Sequence, residues 1–250
     1  YGDMDVSIIN EKPAGRLPIK TTKLPIARVN ELIARLKLQI DSGAKVFWVC
    51  PLVAESDASD LTAVESRYDE LKRFFPHAGL VHGQMDKKQR DAVMAEFADD
   101  NSDMKILVAT TVIEVGIDVP RATIIVIENA ERFGLAALHQ LRGRVGRGNL
   151  QSYCILLYGR GISEVGLKRL DVLTETDDGF VIAEQDLIMR GTGELLGTRQ
   201  SGWINYHFVD YACHRDLFKM ASSVARAMDA PDEWTRDLMF IFDRGVGISA

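Results

Sequence analysis

The sequence predicts an α/β fold, a parallel sheet with helices on both faces, followed by a helical hairpin, a loop and a helical tail. Three observations predict it. Between residues 25 and 158, stretches with apolar residues at three- and four-residue steps alternate with short continuous apolar runs. Those runs are rich in β-branched residues and lack polar alternation, as expected of strands covered on both faces. Beyond Tyr158 the strand pattern stops and the helical one continues. Strands separated by helices require crossover connections, and crossovers build a parallel sheet.

Ile26, Val29, Leu32, Ile33, Leu36 and Ile40 form one helical face, closed by Ser42-Gly43. Residues 46–50 read as a buried strand. A helix is expected over 61–75, ended by Pro76, then a short strand over 79–82 and a helix over 87–98. Residues 106–109 and 123–127 read as strands, 136–145 as a helix and 152–158 as the closing strand. Ligands of such sheets collect beyond the carboxyl ends of the strands, so the loops after Ala109, Ile127 and Tyr158 are where chemistry is expected.

Residues 163–174 and 182–189 read as two short helices joined by Asp177-Asp178-Gly179. Glycines punctuate 190–202, and further helices are expected over 208–228 and, after Pro231, over 232–242. Residues 1–22, with Pro13, Gly15 and Pro18, read as an entering arm. The expected domains are then 23–158 for the sheet, 159–206 for the hairpin and loop, and 207–250 for the tail. The chain opens without an initiator Met and without a basic start followed by an apolar stretch, which is the look of an internal piece of a longer chain.

The composition is that of a globular protein with a core: 46% hydrophobic and 8% aromatic residues. No run approaches the roughly 18 apolar residues of a membrane span. Cys50, Cys154 and Cys213 are far apart, and two of them sit in apolar runs. Buried reduced thiols and a cytoplasmic setting are expected, and no metal site. A net charge of −6 argues against a surface coated with nucleic acid. Charge is uneven, however. Between Gly134 and Leu170, Arg142, Arg144, Arg147, Arg160, Lys168 and Arg169 face Glu164 alone.

His139-Gln140-Leu141-Arg142-Gly143-Arg144-Val145-Gly146-Arg147-Gly148 is the most informative segment. Arginines three apart on a helix lie about 5–6 Å from each other and repel unless an anion lies between them. Guanidinium forks suit phosphate oxygens, so a polyphosphate fits. The order GxxGxG after a helix is not the dinucleotide fingerprint, which is GxGxxG after a strand.

Gln140, Gly143, Arg144, Gly146, Arg147 and Gly148 match the QxxGRxGRxG signature of superfamily-two helicases. The run from Ala109 to Pro120, ATTVIEVGIDVP, resembles the same superfamily's motif five. Residues 46–52, Val81-His82-Gly83-Gln84-Met85, 127–134, Asp177-Asp178-Gly179-Phe180 and 190–202 resemble the RecG family of branched-DNA helicases more closely still. The bacterial transcription-repair coupling translocase shares much of this pattern.

The resemblance implies a RecA-like second motor domain, ATP as cofactor with Mg2+, and double-stranded and branched DNA as partners. Arg144 and Arg147 would be arginine fingers on the γ-phosphate. Gly116, Asp118 and Gln140 would lie at the nucleotide. Thr110, Thr111 and His82 would hold DNA phosphates, although threonine at a strand end also caps helices and a lone His often serves local bonds. Arg169, Arg190 and Gln200 would belong to a translocation hairpin that couples domain closure to DNA movement. An Arg there would alternatively cap helix carbonyls. Glu128 and Glu131 are expected to bond backbone amides or to pair with Arg132 or the fingers.

The 250 residues contain no GxxxxGK[ST] loop and no DExH or DExD box. The first motor domain and the DNA-splitting wedge domain of the resembling family would be supplied by the rest of a longer chain. The alternatives are a translocase of the transcription-repair class and a non-catalytic binding module descended from such a motor.

Overall fold

The computed structural model describes residues 17–51, 57–110 and 119–193, together with seven helical positions between 217 and 236. The chain divides into two compact units, Glu11–Thr192 and a second formed by Tyr1–Asn10 with Gly193–Ala250.

In the first unit, β1 (Lys20–Pro25) leads through a short 3-10 turn into α1 (Val29–Asp41) and β2 (Lys45–Val49). Then come α2 (Asp57–Lys72), β3 (Gly79–Val81), α3 (Lys87–Ala98), β4 (Ile106–Ala109) and β5 (Ala122–Ile127). A second 3-10 turn, Ala130–Arg132, precedes α4 (Leu135–Arg142), β6 (Tyr153–Tyr158), α5 (Glu164–Glu175) and α6 (Gly179–Gly193). The six strands form one sheet in the order β1-β6-β5-β2-β4-β3, and every pairing is parallel.

Successive strand residues point to opposite faces, and the sheet's core divides accordingly. Val46, Trp48, Ile106, Val108, Ile124 and Val126 pack with Leu32, Ile33 and Leu36 of α1 and Val64 and Leu71 of α2. Phe47, Val49, Leu107, Ala109, Ile125 and Ile127 pack with Met94 and Phe97 of α3, Leu135, Leu138 and Leu141 of α4, and Leu170, Leu173 and Ile182 of the hairpin. Helices therefore cover both faces, as the unbroken apolar runs require.

Local devices fix the ends. Asp86 caps α3 by accepting from the Gln89 amide at 2.9 Å, a contact worth about 1 kcal/mol. At the other end of α3, the buried ammonium of Lys45 donates to the carbonyls of Phe97 (2.6 Å) and Asp99 (2.7 Å). A cation at a helix carboxyl terminus complements the helix dipole.

Two boundaries differ from the sequence reading. Lys20–Pro25 is an edge strand paired with β6 along its whole length, so the arm-to-domain boundary at 22/23 falls inside a strand. Pro25 closes that strand and the run is short, which is why it reads as coil. The helix expected to reach residue 145 ends at Arg142 with Gly143 as its cap. Both hairpin helices are present, and they belong to the same unit as the sheet up to Thr192. The positions described between 217 and 227 fall within the helix expected over 208–228, and Arg236 within the last one.

Candidate functional site

All strands run the same way, so the sheet has one amino edge and one carboxyl edge. The residues singled out above separate between them.

The amino edge carries the arginine turn. After α4, Arg144 and Val145 continue as a tight turn, their amides donating to Leu141 (3.0 Å) and Arg142 (3.3 Å). Gly146 then adopts φ +74°, and a Cβ there would lie 2.8 Å from Cγ1 of Ile19 and 3.8 Å from Cβ of Ser152. Ile19 and Ser152 stand just before β1 and β6, and the Lys20 amide donates to the Ser152 carbonyl at 2.9 Å. A Cβ at Gly148 would lie 3.5 Å from the Pro120 carbonyl, just before β5. The turn thus sits at the start of three strands, beside Pro120. Arg144 and Arg147 are half-buried, and Nε of Arg147 reaches the Gly143 carbonyl at a long 3.4 Å. Gln140 is exposed on α4. The two arginines are not neighbours on a helix face, because the helix ends before them. The turn lies at the edge opposite the loops after Ala109, Ile127 and Tyr158.

Thr110 and His82 do lie at the carboxyl edge, on adjacent strands. Ala109 is in register with Val81, and the Thr110 amide donates to the Val81 carbonyl at 3.2 Å. Thr110 is 1% exposed, and its Oγ1 has no hydrogen-bond partner among the described residues. Nδ1 of His82 is likewise buried, with no partner among the described residues. Leaving a buried polar atom unsatisfied costs about 1–3 kcal/mol, which an incoming hydrogen-bonding ligand would recover. Thr111, Gly116, Asp118 and Gln200 lie outside the described residues. Arg190 stands in the last turn of α6.

Also at the carboxyl edge, Glu128 accepts two bonds of 2.7 Å from Arg67 of α2 and one of 2.9 Å from the Trp48 indole. Its partner is therefore not Arg132 or a finger, as the sequence suggested. Burial and this carboxylate push the Cys50 thiol well above its ordinary range. Glu131 does bond a backbone amide, that of Gly159, at 3.2 Å.

Arg169 donates from Nη1 to the carbonyls of Glu131 and Phe133, both at 3.2 Å, tying α5 to the turn that enters α4. Arg142, which the sequence reading counted only among the basic residues, is 3% exposed and reaches the end of α5. Its Nη1 donates to Leu173 (2.9 Å) and Thr176 (2.8 Å). Burial lowers its pKa from the usual arginine range. An arginine embedded between Leu141 and Gly143 in an apolar helix was the available signal.

Comparison with known proteins decides the family. Residues 27–149 match the helicase conserved C-terminal domain, and residues 176–238 match the C-terminal part of domain 3 of the ATP-dependent DNA helicase RecG. The ATP-dependent DNA helicase RecG of Escherichia coli K12 is 46% identical over 229 residues, 90% of this chain and 33% of that protein. The chain belongs to the RecG family. The RecG of Thermotoga maritima is 47% identical over 220 residues, 87% of this chain and 28% of that protein. A structure of RecG bound to a three-way DNA junction superposes with a TM-score of 0.67 at 43% identity, covering 88% of this chain and 28% of that one. This RecG-family chain therefore spans about a third of the length of the curated relatives it matches. No helix among the described residues is long and apolar enough to cross a membrane.

Proposed function

We propose that the chain is the C-terminal motor part of an ATP-dependent DNA helicase that remodels branched DNA and stalled replication forks in recombination and repair, in the bacterial cytoplasm. The observation that carries this reading is the division of the candidate residues between the two edges of the sheet. The arginine turn stands at the amino edge next to Pro120, where the segment bearing Gly116 and Asp118 ends. Thr110 and His82 stand at the opposite edge with buried polar atoms awaiting partners. One edge serves the nucleotide and the other the DNA backbone, and the sheet between them moves as one body.

In this reading ATP supplies a phosphoryl group whose transfer to water develops charge on its oxygens. Arg144 and Arg147 would meet that charge with forked donors, and Gly116, Asp118 and Gln140 would hold the nucleotide. The phosphate-cradling loop and the carboxylates for Mg2+ would come from the first motor domain of the full-length chain. Thr110, Thr111 and His82 would grip phosphates of double-stranded DNA. Arg169, Arg190 and Gln200 would pass closure of the cleft to the hairpin, and a wedge domain in the same full-length chain would split the branches. The match of residues 176–238 to a RecG-specific model favours this reading over a transcription-repair coupling translocase.

Steady-state ATP hydrolysis and three-way-junction unwinding by the full-length protein test it. DNA-stimulated turnover with unwinding is expected, and no turnover from the 250-residue chain alone. Absence of DNA stimulation in the full-length protein would refute the reading.

A further inference from the structure

His139 and Arg142 lie one turn apart on α4, on either side of Gln140 and Leu141 in the chain. Besides its two bonds to the end of α5, Arg142 brings Nη2 to 2.9 Å from Nδ1 of His139. A guanidinium has N–H groups and no lone pair to offer. Nδ1 of His139 must therefore be the acceptor, so the imidazole is neutral and carries its proton on Nε2. That nitrogen faces the first residue of α6, where a Cβ at Gly179 would lie only 3.0 Å from it. Through these two side chains α4 touches the end of α5 and the start of α6, and α4 leads directly into Arg144 and Arg147.

The Cys154 thiol of β6 faces Arg142, and its pKa of about 12 keeps it neutral over the range tested below. Asp177, in the connection between α5 and α6, lies close enough to Arg142 to favour its charge. Asp178, beside it, is occupied in accepting from the Phe180 amide at 2.8 Å. A proton on Nδ1 of His139 would set N–H against N–H and a second positive charge against the guanidinium. The hydrogen bond would be lost.

Resting on the reading of the hairpin as the translocation element, we propose that His139 and Arg142 are a positioning pair that holds the hairpin to the arginine turn, and that they couple ATP turnover to DNA movement only while His139 is neutral. Arg142 clamps the carbonyls of α5, and His139 fixes the guanidinium in the plane that reaches them.

Base pairs unwound per ATP hydrolysed, measured on the full-length protein from pH 5.5 to 8, test this. The parent ratio is expected to fall by a factor of roughly five to ten at the acid end, the equivalent of one lost hydrogen bond of ordinary net strength. His139→Asn places a carbonyl oxygen where Nδ1 stood and cannot take up a proton in this range. It should hold the ratio flat near the parent value at pH 8. His139→Leu removes the acceptor and should give the low ratio at every pH, with ATP turnover retained. Identical pH profiles for parent and His139→Asn would overturn the proposal, as would full coupling at pH 8 in a folded His139→Leu. If His139→Leu does not fold, the comparison of parent with His139→Asn decides alone. Loss of DNA-stimulated turnover in the parent itself would count against the helicase reading rather than against this pair.

Discussion

Glu128 and Arg67 meet in a two-pronged ion pair at the carboxyl end of β5, with both contacts at 2.7 Å and side chains only 11% and 14% exposed. The same carboxylate takes the indole proton of Trp48 at 2.9 Å, so one side chain anchors α2 to the centre of the sheet. Glu128→Ala would leave the Trp48 indole unpaired and Arg67 with Glu70 as its remaining carboxylate in a nearly dry site. A loss of about 3 kcal/mol is expected, in the range for breaking a buried pair from one side. Removing both partners as Glu128→Leu with Arg67→Met should cost less than Glu128→Ala alone, read as denaturation midpoints. Equal or larger loss in the double variant would contradict this.

Gly146 is expected to tolerate no side chain. Its φ of +74° strains an L-residue by about 1–2 kcal/mol, and the Ile19 contact adds to that. Gly146→Ala should lower stability by more than the backbone cost alone. Adding Ile19→Ala should return the steric part and leave the backbone part. If Ile19→Ala recovered nothing, the close approach of β1 to the turn would be wrong.

Much of this architecture was legible in the sequence, for a physical reason. A strand buried on both faces has no choice but a continuous apolar run, and 46–50, 106–109 and 123–127 show it plainly. The edge strand β1 was not legible, because no residue of Lys20–Pro25 is fully buried, Lys20 and Thr22 are exposed, and the segment ends on Pro25. The arginine turn was legible as chemistry but not as geometry. Glycines at 143 and 146 mark a break in the helix as readily as a close approach, and only the three-dimensional fold shows that Ile19 fills the space. The partner of Glu128 was illegible for a different reason: Arg67 lies 61 residues away, on a helix whose facing no local pattern dictates.

The Cys154 thiol should make stability fall in alkali. Full burial raises its pKa to about 12, and Arg142 opposes this only in part. In the unfolded chain a thiol ionises near pH 8.5. The folded state therefore favours the neutral form, and its contribution is fully present below about pH 8.5. It is lost as pH rises from there towards 12, at about 1.4 kcal/mol per pH unit. Denaturation midpoints of Cys154→Ala should accordingly depend less on pH between 8 and 10 than those of the parent. Parallel curves would exclude a buried neutral thiol.

Arg147→Lys should not replace Arg147 in ATP turnover by the full-length protein. An ammonium carries the charge but not the planar fork. If fingers act where charge develops, nucleotide affinity should stay within a few-fold while turnover drops by orders of magnitude. Parental turnover in Arg147→Lys would show that only the charge matters there.

The most direct test of the division between the two edges pairs Arg147→Ala with Thr110→Val in the full-length protein, following DNA binding and ATP turnover for each. Arg147→Ala should bind branched DNA as the parent does and lose turnover. Thr110→Val removes one buried hydroxyl at the opposite edge; it should weaken DNA binding and DNA stimulation while leaving turnover without DNA unchanged. If both variants lost the same activity to the same degree, the two edges would not have separate tasks.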